Sequence, residues 1–156
     1  YYYRTKEDLL RDLLDYFITP YLEEFDRARQ QAGESPEKQI KAVLKFWLED
    51  LGTPETTVFF PECWALSNHN SFVAELMDNL YSKAREPLNE LIPQINPTLT
   101  QKESEQLALY MCASMEGLTI FAGFEKPWST QLNSLKKMSI DNFMDIIKNT
   151  KGSKRV

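Results

Sequence analysis

QKESEQLALYMCASMEGLTIFAG, residues 101–123, is apolar around almost its whole circumference when it is drawn as a helix. One side carries Leu107, Tyr110, Met111, Ser114, Leu118 and Phe121, and the other side carries Leu109, Cys112, Ala113, Gly117 and Ile120. Thr100 and Glu103 have the spacing of a capping box, which predicts the start of the helix. A helix that is apolar on two sides is buried on two sides. It is therefore either the central helix of the chain or a helix whose second face meets another subunit.

The segment that follows has the same character. From about Ser129 to Asn149 the sequence predicts a last helix with more apolar width than a surface helix needs. Its apolar residues are Leu132, Leu135, Met138, Phe143, Ile146 and Ile147. Two adjacent helices of this kind predict a dimer.

The rest of the chain also shows apolar residues at helical spacing. The predicted helices run from Thr5 to about Gln31 with a kink at Pro20, from Pro36 to Leu51, through a short segment with Pro61 near its start, and from Ser71 to Ile95 straight through Pro87. No segment alternates as a strand would, and no internal repeat stands out. The sequence predicts an all-α fold, a bundle of about six helices.

Composition narrows the class of protein. The 156 residues are 42% hydrophobic with a formal net charge of −5, which predicts a folded domain that does not bind DNA through this portion alone. The two cysteines, Cys63 and Cys112, are far apart and predict free thiols in a reducing compartment, so we expect a cytoplasmic protein. No run approaches the length of a membrane span, and we expect no membrane association.

Catalytic motifs are missing from the sequence. It has one histidine, His69, and no HExxH, GxSxG, glycine-rich phosphate loop or Glu-x-x-His pair. We therefore expect no enzymatic activity, no catalytic residue, no metal site and no cofactor.

Aromatic residues and methionines on several helices predict an apolar cavity that adapts to small ligands, although the plainer interpretation of any single one of them is core packing. The predicted pocket residues are Phe17, Trp47, Phe59, Trp64, Asn68, Met77, Tyr81, Tyr110, Met111, Met115 and Glu116. Glu116 is a charged residue in an otherwise largely apolar stretch of the sequence. If it faces inward it could recognise a cationic or hydrogen-bonding ligand, and if it faces outward it is an interface or rim charge.

The opening residues YYYRTKEDLL, 1–10, resemble the end of the DNA-binding domain in the TetR/AcrR family of transcriptional regulators. There a recognition helix ends in a tyrosine-rich run, and a lysine with acidic residues opens the next helix, as Lys6 to Asp8 do here. The resemblance implies that residues 1–4 end a helix-turn-helix domain, 5–150 form a ligand-binding and dimerisation domain, and 151–156 are a polar tail. It also implies that Tyr1, Tyr2 and Lys6 contact the DNA backbone.

The same resemblance implies a mechanism. Two subunits form a homodimer through a four-helix interface made by their last two helices, and a small apolar or amphipathic effector alters the binding of operator DNA by an upstream domain. The implied interface residues are Leu118, Phe121, Leu135, Met138, Phe143 and Ile146. The alternative is a helical, dimeric protein-interaction module without a small ligand, which would have a filled core and an exposed apolar groove.

Overall fold

Helices make up nearly all of the regular structure in this computed structural model, which describes residues 4–153 apart from the side chains of Lys6 and Glu7. The helices are α1 (Lys6–Gln31), α2 (Pro36–Asp50), α3 (Pro54–Ser67), α4 (Ser71–Ile95), α5 (Gln101–Ala122) and α6 (Leu132–Asn149), with a 3-10 turn at Ser129–Gln131. Residues 4–153 contain no strand. The prediction of an all-α fold with about six helices is confirmed.

Side chains fix the starts of four helices. Thr5 accepts the backbone N–H of Asp8 at 3.0 Å, and Thr100 and Glu103 complete the predicted capping box at α5. Thr53 and Asn70 cap α3 and α4 in the same way. Because these caps satisfy backbone N–H groups that have no partner within the helix, they set where each helix begins.

Prolines fall inside three helices. α4 continues through Pro87 as predicted. Pro61, however, lies in the middle of α3 and not near its start, because the cap at Thr53 and the proline at the first helical position, Pro54, begin the helix earlier. Pro20 lies within α1, as the sequence predicted.

The interior consists of two apolar clusters. The larger joins α2, α4, α5 and α6 with Phe25 of α1, and the smaller joins α1, α3 and α4 around Leu14, Cys63 and Val73. α4 contacts each of the other five helices, and α2 contacts α1, α4 and α6.

α5 is buried on one side of this chain and exposed on the other. Its buried residues are Ser104, Ala108, Met111, Cys112, Met115, Thr119 and Ala122. The exposed side carries Leu109, Tyr110, Ala113, Ile120 and Phe121, which we call the exposed face of α5. The first of the two alternatives, that α5 is the central helix, is therefore wrong for a single chain.

Candidate effector-binding site

Glu116 of α5 faces the interior, where two donors from other helices hold its carboxylate. The indole Nε1 of Trp47 in α2 donates to Oε1 at 2.7 Å, and the hydroxyl of Tyr81 in α4 donates to Oε2 at 3.2 Å. Because both oxygens accept hydrogen bonds from the chain, the outward orientation considered from the sequence is wrong.

The hydrogen bonds continue beyond Tyr81. Its hydroxyl accepts the indole Nε1 of Trp64 in α3 at 2.9 Å. A connected network, Trp64 to Tyr81 to Glu116 to Trp47, therefore links α3, α4, α5 and α2. Polar chains of this kind fix the relative positions of the elements they join, since each member loses a partner if one helix moves away.

A small void lies beside this network, and we call it the Glu116 chamber. Its walls are Tyr21, Trp47, Asp50, Leu51, Thr56, Phe60, Leu80, Tyr81, Ala84 and Glu116. Its volume is about 10 Å³, which is room for about one water molecule and not for a larger ligand. Among the described residues, the walls include two carboxylates, Asp50 and Glu116, and no lysine or arginine. Asp50 accepts a hydrogen bond from the hydroxyl of Thr56.

Burial raises the pKa values of the acids around the chamber. The pKa of Glu116 rises to about 6, because its loss of hydration outweighs the hydrogen bonds from Trp47 and Tyr81, and Asp50 adds repulsion. The pKa of Asp50 is also raised, again chiefly by burial. Burial is also the main cause of the raised pKa values of Tyr81 and Tyr21. The second cause is a nearby carboxylate, which is Glu116 for Tyr81 and Asp50 for Tyr21. The site therefore favours a proton or a hydrogen-bond donor next to Glu116.

We expect Glu116→Gln to remove part of the pH dependence of stability. The folded-state pKa of Glu116 lies above its ordinary value of 4.5. Its contribution to the free energy of unfolding is therefore fully present below about pH 4.5 and is lost as the pH rises through about 6. The loss is on the order of 2 kcal/mol. Urea unfolding between pH 4 and pH 8 should show the variant gaining stability relative to wild type as the pH rises.

Glu105→Gln controls for the loss of one carboxylate from α5, because Glu105 is exposed on the same helix. Stability curves of Glu116→Gln and wild type that run parallel over the whole range would contradict the assigned pKa. Asp50→Asn tests the second carboxylate, whose raised pKa contributes with the same sign.

The structure brings four of the predicted pocket residues into the network: Trp47, Trp64, Tyr81 and Glu116. The three methionines Met77, Met111 and Met115 are buried in the two core clusters. Phe17 and Phe59 contact each other between α1 and α3, with ring centres 4.8 Å apart. The exposed residues Asn68 and Tyr110 are not brought to the chamber.

Sequence reasoning missed several wall residues of the chamber, above all Asp50, Tyr21 and Thr56. The signal for Asp50 was present, because it follows Trp47 by three positions and so shares its helix face. Tyr21 lies four positions before Phe25, whose ring packs edge-to-face against Trp47 at 5.9 Å. Thr56 gave no signal, since a threonine in the first turn of a helix is ordinary.

The predicted interface residues divide between surface and core. Phe121 (63% exposed) and Met138 are at the surface, while Leu118, Leu135 and Ile146 are partly buried. Phe143 is 4% exposed and packs in the larger cluster of its own chain, so we leave it out of the interface proposed below. Sequence reasoning did not include Leu109 and Ile120 in the interface, nor Phe124 and Trp128 just beyond α5, all of which are exposed. The signal for Leu109 and Ile120 was the second apolar stripe of α5.

The predicted DNA contacts fall where the structure gives no side chains. Tyr1 and Tyr2 lie outside the described residues, and the side chain of Lys6, at the start of α1, is also not described. No helix within residues 4–153 has the length and hydropathy needed to cross a bilayer. Over the same residues, no three His, Cys, Asp or Glu side chains come together as a metal site would require.

Comparison with known proteins identifies the family. A family model described as "BetI-type transcriptional repressor, C-terminal" matches residues 36–134, from the start of α2 into α6. Searches among curated proteins and among solved structures returned no match. The matched region is well over half of the chain and includes all four members of the hydrogen-bond network and the exposed face of α5. The chain belongs to the TetR family of transcriptional regulators, whose C-terminal domain of the BetI type it contains.

Proposed function

We propose that this chain is the effector-binding and dimerisation part of a DNA-binding regulator, and that a small apolar or amphipathic molecule bound beside Glu116 alters the affinity for operator DNA. The observation that carries this proposal is the network around Glu116. A partly buried carboxylate surrounded by aromatic rings gives a ligand both an apolar wall and a polar anchor.

Binding at this site requires a change in the helices. The chamber has a volume of only about 10 Å³, so an effector has to displace a wall and replace Trp47 or Tyr81 as a donor to Glu116. Tyr21 of α1 is one of the walls, and α1 begins at Lys6, one of the residues predicted to contact DNA. An effector that prefers the opened arrangement by about 1–3 kcal/mol would change operator affinity roughly 5- to 150-fold.

Dimerisation is the second part of the proposal. The exposed face of α5 presents Leu109, Tyr110, Ile120 and Phe121 to solvent, and Met138 of α6 is exposed as well. Exposed apolar residues that cluster on one helix are typical of an interface. We propose that a second copy covers them, so that α5 and α6 of two chains form a four-helix interface.

The test is a thermal unfolding screen of wild type, Glu116→Gln and the surface control Glu105→Gln against apolar and cationic small molecules. A ligand of the folded state raises the melting temperature of wild type by mass action. The proposal predicts at least one compound whose effect is lost in Glu116→Gln and kept in Glu105→Gln. It is contradicted if every active compound acts equally on all three proteins. Operator binding with and without that compound, in a chain that includes the DNA-binding helices, then tests the regulatory step.

A protein-interaction module without a small ligand is the second candidate. The observation that favours it is the small volume of the chamber, because a filled core was the expected sign of that alternative. It predicts a dimer whose melting temperature responds to no compound in the screen.

A further inference from the structure

α5 and α6 form an antiparallel pair, and the residues after α6 close its open end. The connection from Ala122 to Leu132 joins the two helices at one end, and the ring of Tyr110 packs edge-to-face on Phe143 midway along them. At the other end, residues 150–153 leave α6 and run across the connection between α4 and α5 to the first turn of α5. We call residues 150–153 the strap.

Asn96, the residue that ends α4, fixes the start of the strap. Its Nδ2 donates to the carbonyl oxygens of Ile147 and Thr150, both at 2.8 Å. Carbonyl groups in the last turn of a helix have no partner within the helix, so a donor from another element determines how the chain leaves α6. Asn96 is 6% exposed, and its Oδ1 accepts the backbone N–H and the hydroxyl of Thr98. The strap therefore begins at a buried, hydrogen-bonded point.

The carboxylate of Glu103, in the first turn of α5, holds the other end of the strap. Ser153 donates its hydroxyl to Oε1 at 2.6 Å, and its backbone N lies 3.2 Å from each carboxylate oxygen. Hydrogen bonds from Ser153 and from Thr100 in the capping box lower the pKa of Glu103 to about 2. The carboxylate is therefore ionised at neutral pH, and hydrogen bonds to an ionised acceptor are the stronger kind.

Gly152 passes so close to the connection before α5 that a side chain does not fit. Its N–H donates to the hydroxyl oxygen of Thr98 at 3.3 Å. A Cβ at position 152 would lie 1.9 Å from the carbonyl oxygen of Thr98 and 2.6 Å from the backbone N of Leu99. Both are backbone atoms, and Leu99 is packed in the larger core cluster, so they cannot move aside without disturbing that cluster. Any side chain at position 152 should therefore open the strap.

We propose that the strap is a conformational device that controls how tightly two copies of the chain associate. This control rests on the dimerisation proposed above, in which α5 and α6 supply the interface. Since the connection joins the two helices at one end only, the strap fixes their separation at the other end. With the strap open, the helices can part there, and the two-chain interface loses the arrangement that it needs. Because such coupling is reciprocal, dimerisation should also hold the strap closed.

Gly152→Ala tests the strap, with Lys151→Ala as the matched control, because Lys151 is exposed and makes none of the hydrogen bonds described above. Amide hydrogen exchange should show the N–H of Ser153 protected about tenfold or more in wild type and in Lys151→Ala, and unprotected in Gly152→Ala. An NMR titration of Glu103 should show its pKa raised above about 2 in Gly152→Ala, because the bonds from Ser153 are lost.

Sedimentation equilibrium then measures association. Gly152→Ala should raise the dimer dissociation constant about fivefold or more, and Lys151→Ala should leave it at the wild-type value. Ser153→Pro removes both donors to Glu103 at an exposed position, so it should act in the same direction. It makes the same test if Gly152→Ala does not fold.

Each result supports or overturns a separate part of the proposal. A Ser153 amide that exchanges in wild type as fast as in an unfolded peptide overturns the strap itself. Equal dissociation constants for wild type and Gly152→Ala, with the strap open in the variant, overturn its control of association and leave the dimer standing. A wild-type chain that is monomeric at every concentration contradicts the dimer, and the control of association with it.

Discussion

Replacing Trp47 with alanine is expected to bring the chain close to unfolding at 25 °C. The Trp47 side chain is 3% exposed, packs edge-to-face on Phe25 and donates to Glu116. Loss of a buried tryptophan ring costs about 3–5 kcal/mol. The lost donor to Glu116 adds a further ~1 kcal/mol or more. Since most domains are stable by only about 5–15 kcal/mol, urea unfolding followed by circular dichroism should show a large fall in the midpoint.

Trp47→Phe separates the two contributions. It keeps an aromatic ring in the core but removes the N–H that Glu116 accepts, so we expect a loss of about 1–3 kcal/mol, well below that of alanine. Equal losses for phenylalanine and alanine would mean that the hydrogen bond, and not packing, dominates at this position. A loss under about 1 kcal/mol for alanine would contradict the burial of Trp47.

Phe121→Glu is expected to convert the proposed dimer to monomers. Phe121 is 63% exposed on the exposed face of α5, so a glutamate is tolerated in the isolated chain but would carry an unpaired charge into the interface. Central aromatic residues of interfaces contribute about 2 kcal/mol or more, which raises the dimer dissociation constant about 30-fold or more. Sedimentation equilibrium over a range of protein concentrations measures this change directly.

Tyr16→Glu is the control for the interface prediction, because Tyr16 is 74% exposed on α1, which packs chiefly against α2 and α4. It should leave the dissociation constant unchanged. A wild-type chain that is monomeric at all concentrations would contradict the interface, and so would equal weakening by both variants.

Cap chemistry made the helices predictable from the sequence. Thr5 and Thr100 bond to backbone groups within one turn, so the information that fixes the start of each helix is local. The position of Pro61 was predicted wrongly because two local signals competed, and the cap at Thr53 determined the start of α3.

The buried side of α5 was not predictable in the same way. Met111 belongs to one apolar stripe and Cys112 to the other, yet both are buried, and the buried face lies between the stripes. When both sides of a helix are apolar, its own sequence does not choose between them. Packing against α4 and α6 makes the choice, and those contacts lie outside the sequence of α5 itself.

The candidate site shows the same limit. Glu116 and Trp47 are 69 positions apart, and only the fold brings the carboxylate to the indole. The sequence could identify Glu116 as unusual because of its apolar neighbours. It could not show that three aromatic side chains from three other helices would be joined to it.

Two of the three tryptophans, Trp47 and Trp64, have their indole N–H groups in the network, while Trp128 is exposed. The protein thus contains its own optical reporter. In a Trp128→Phe chain, all tryptophan emission would come from the two indoles whose hydrogen bonds the proposed exchange of partners at Glu116 would disturb. The intensity and wavelength of that emission would then follow the opening of the chamber in real time, without any label.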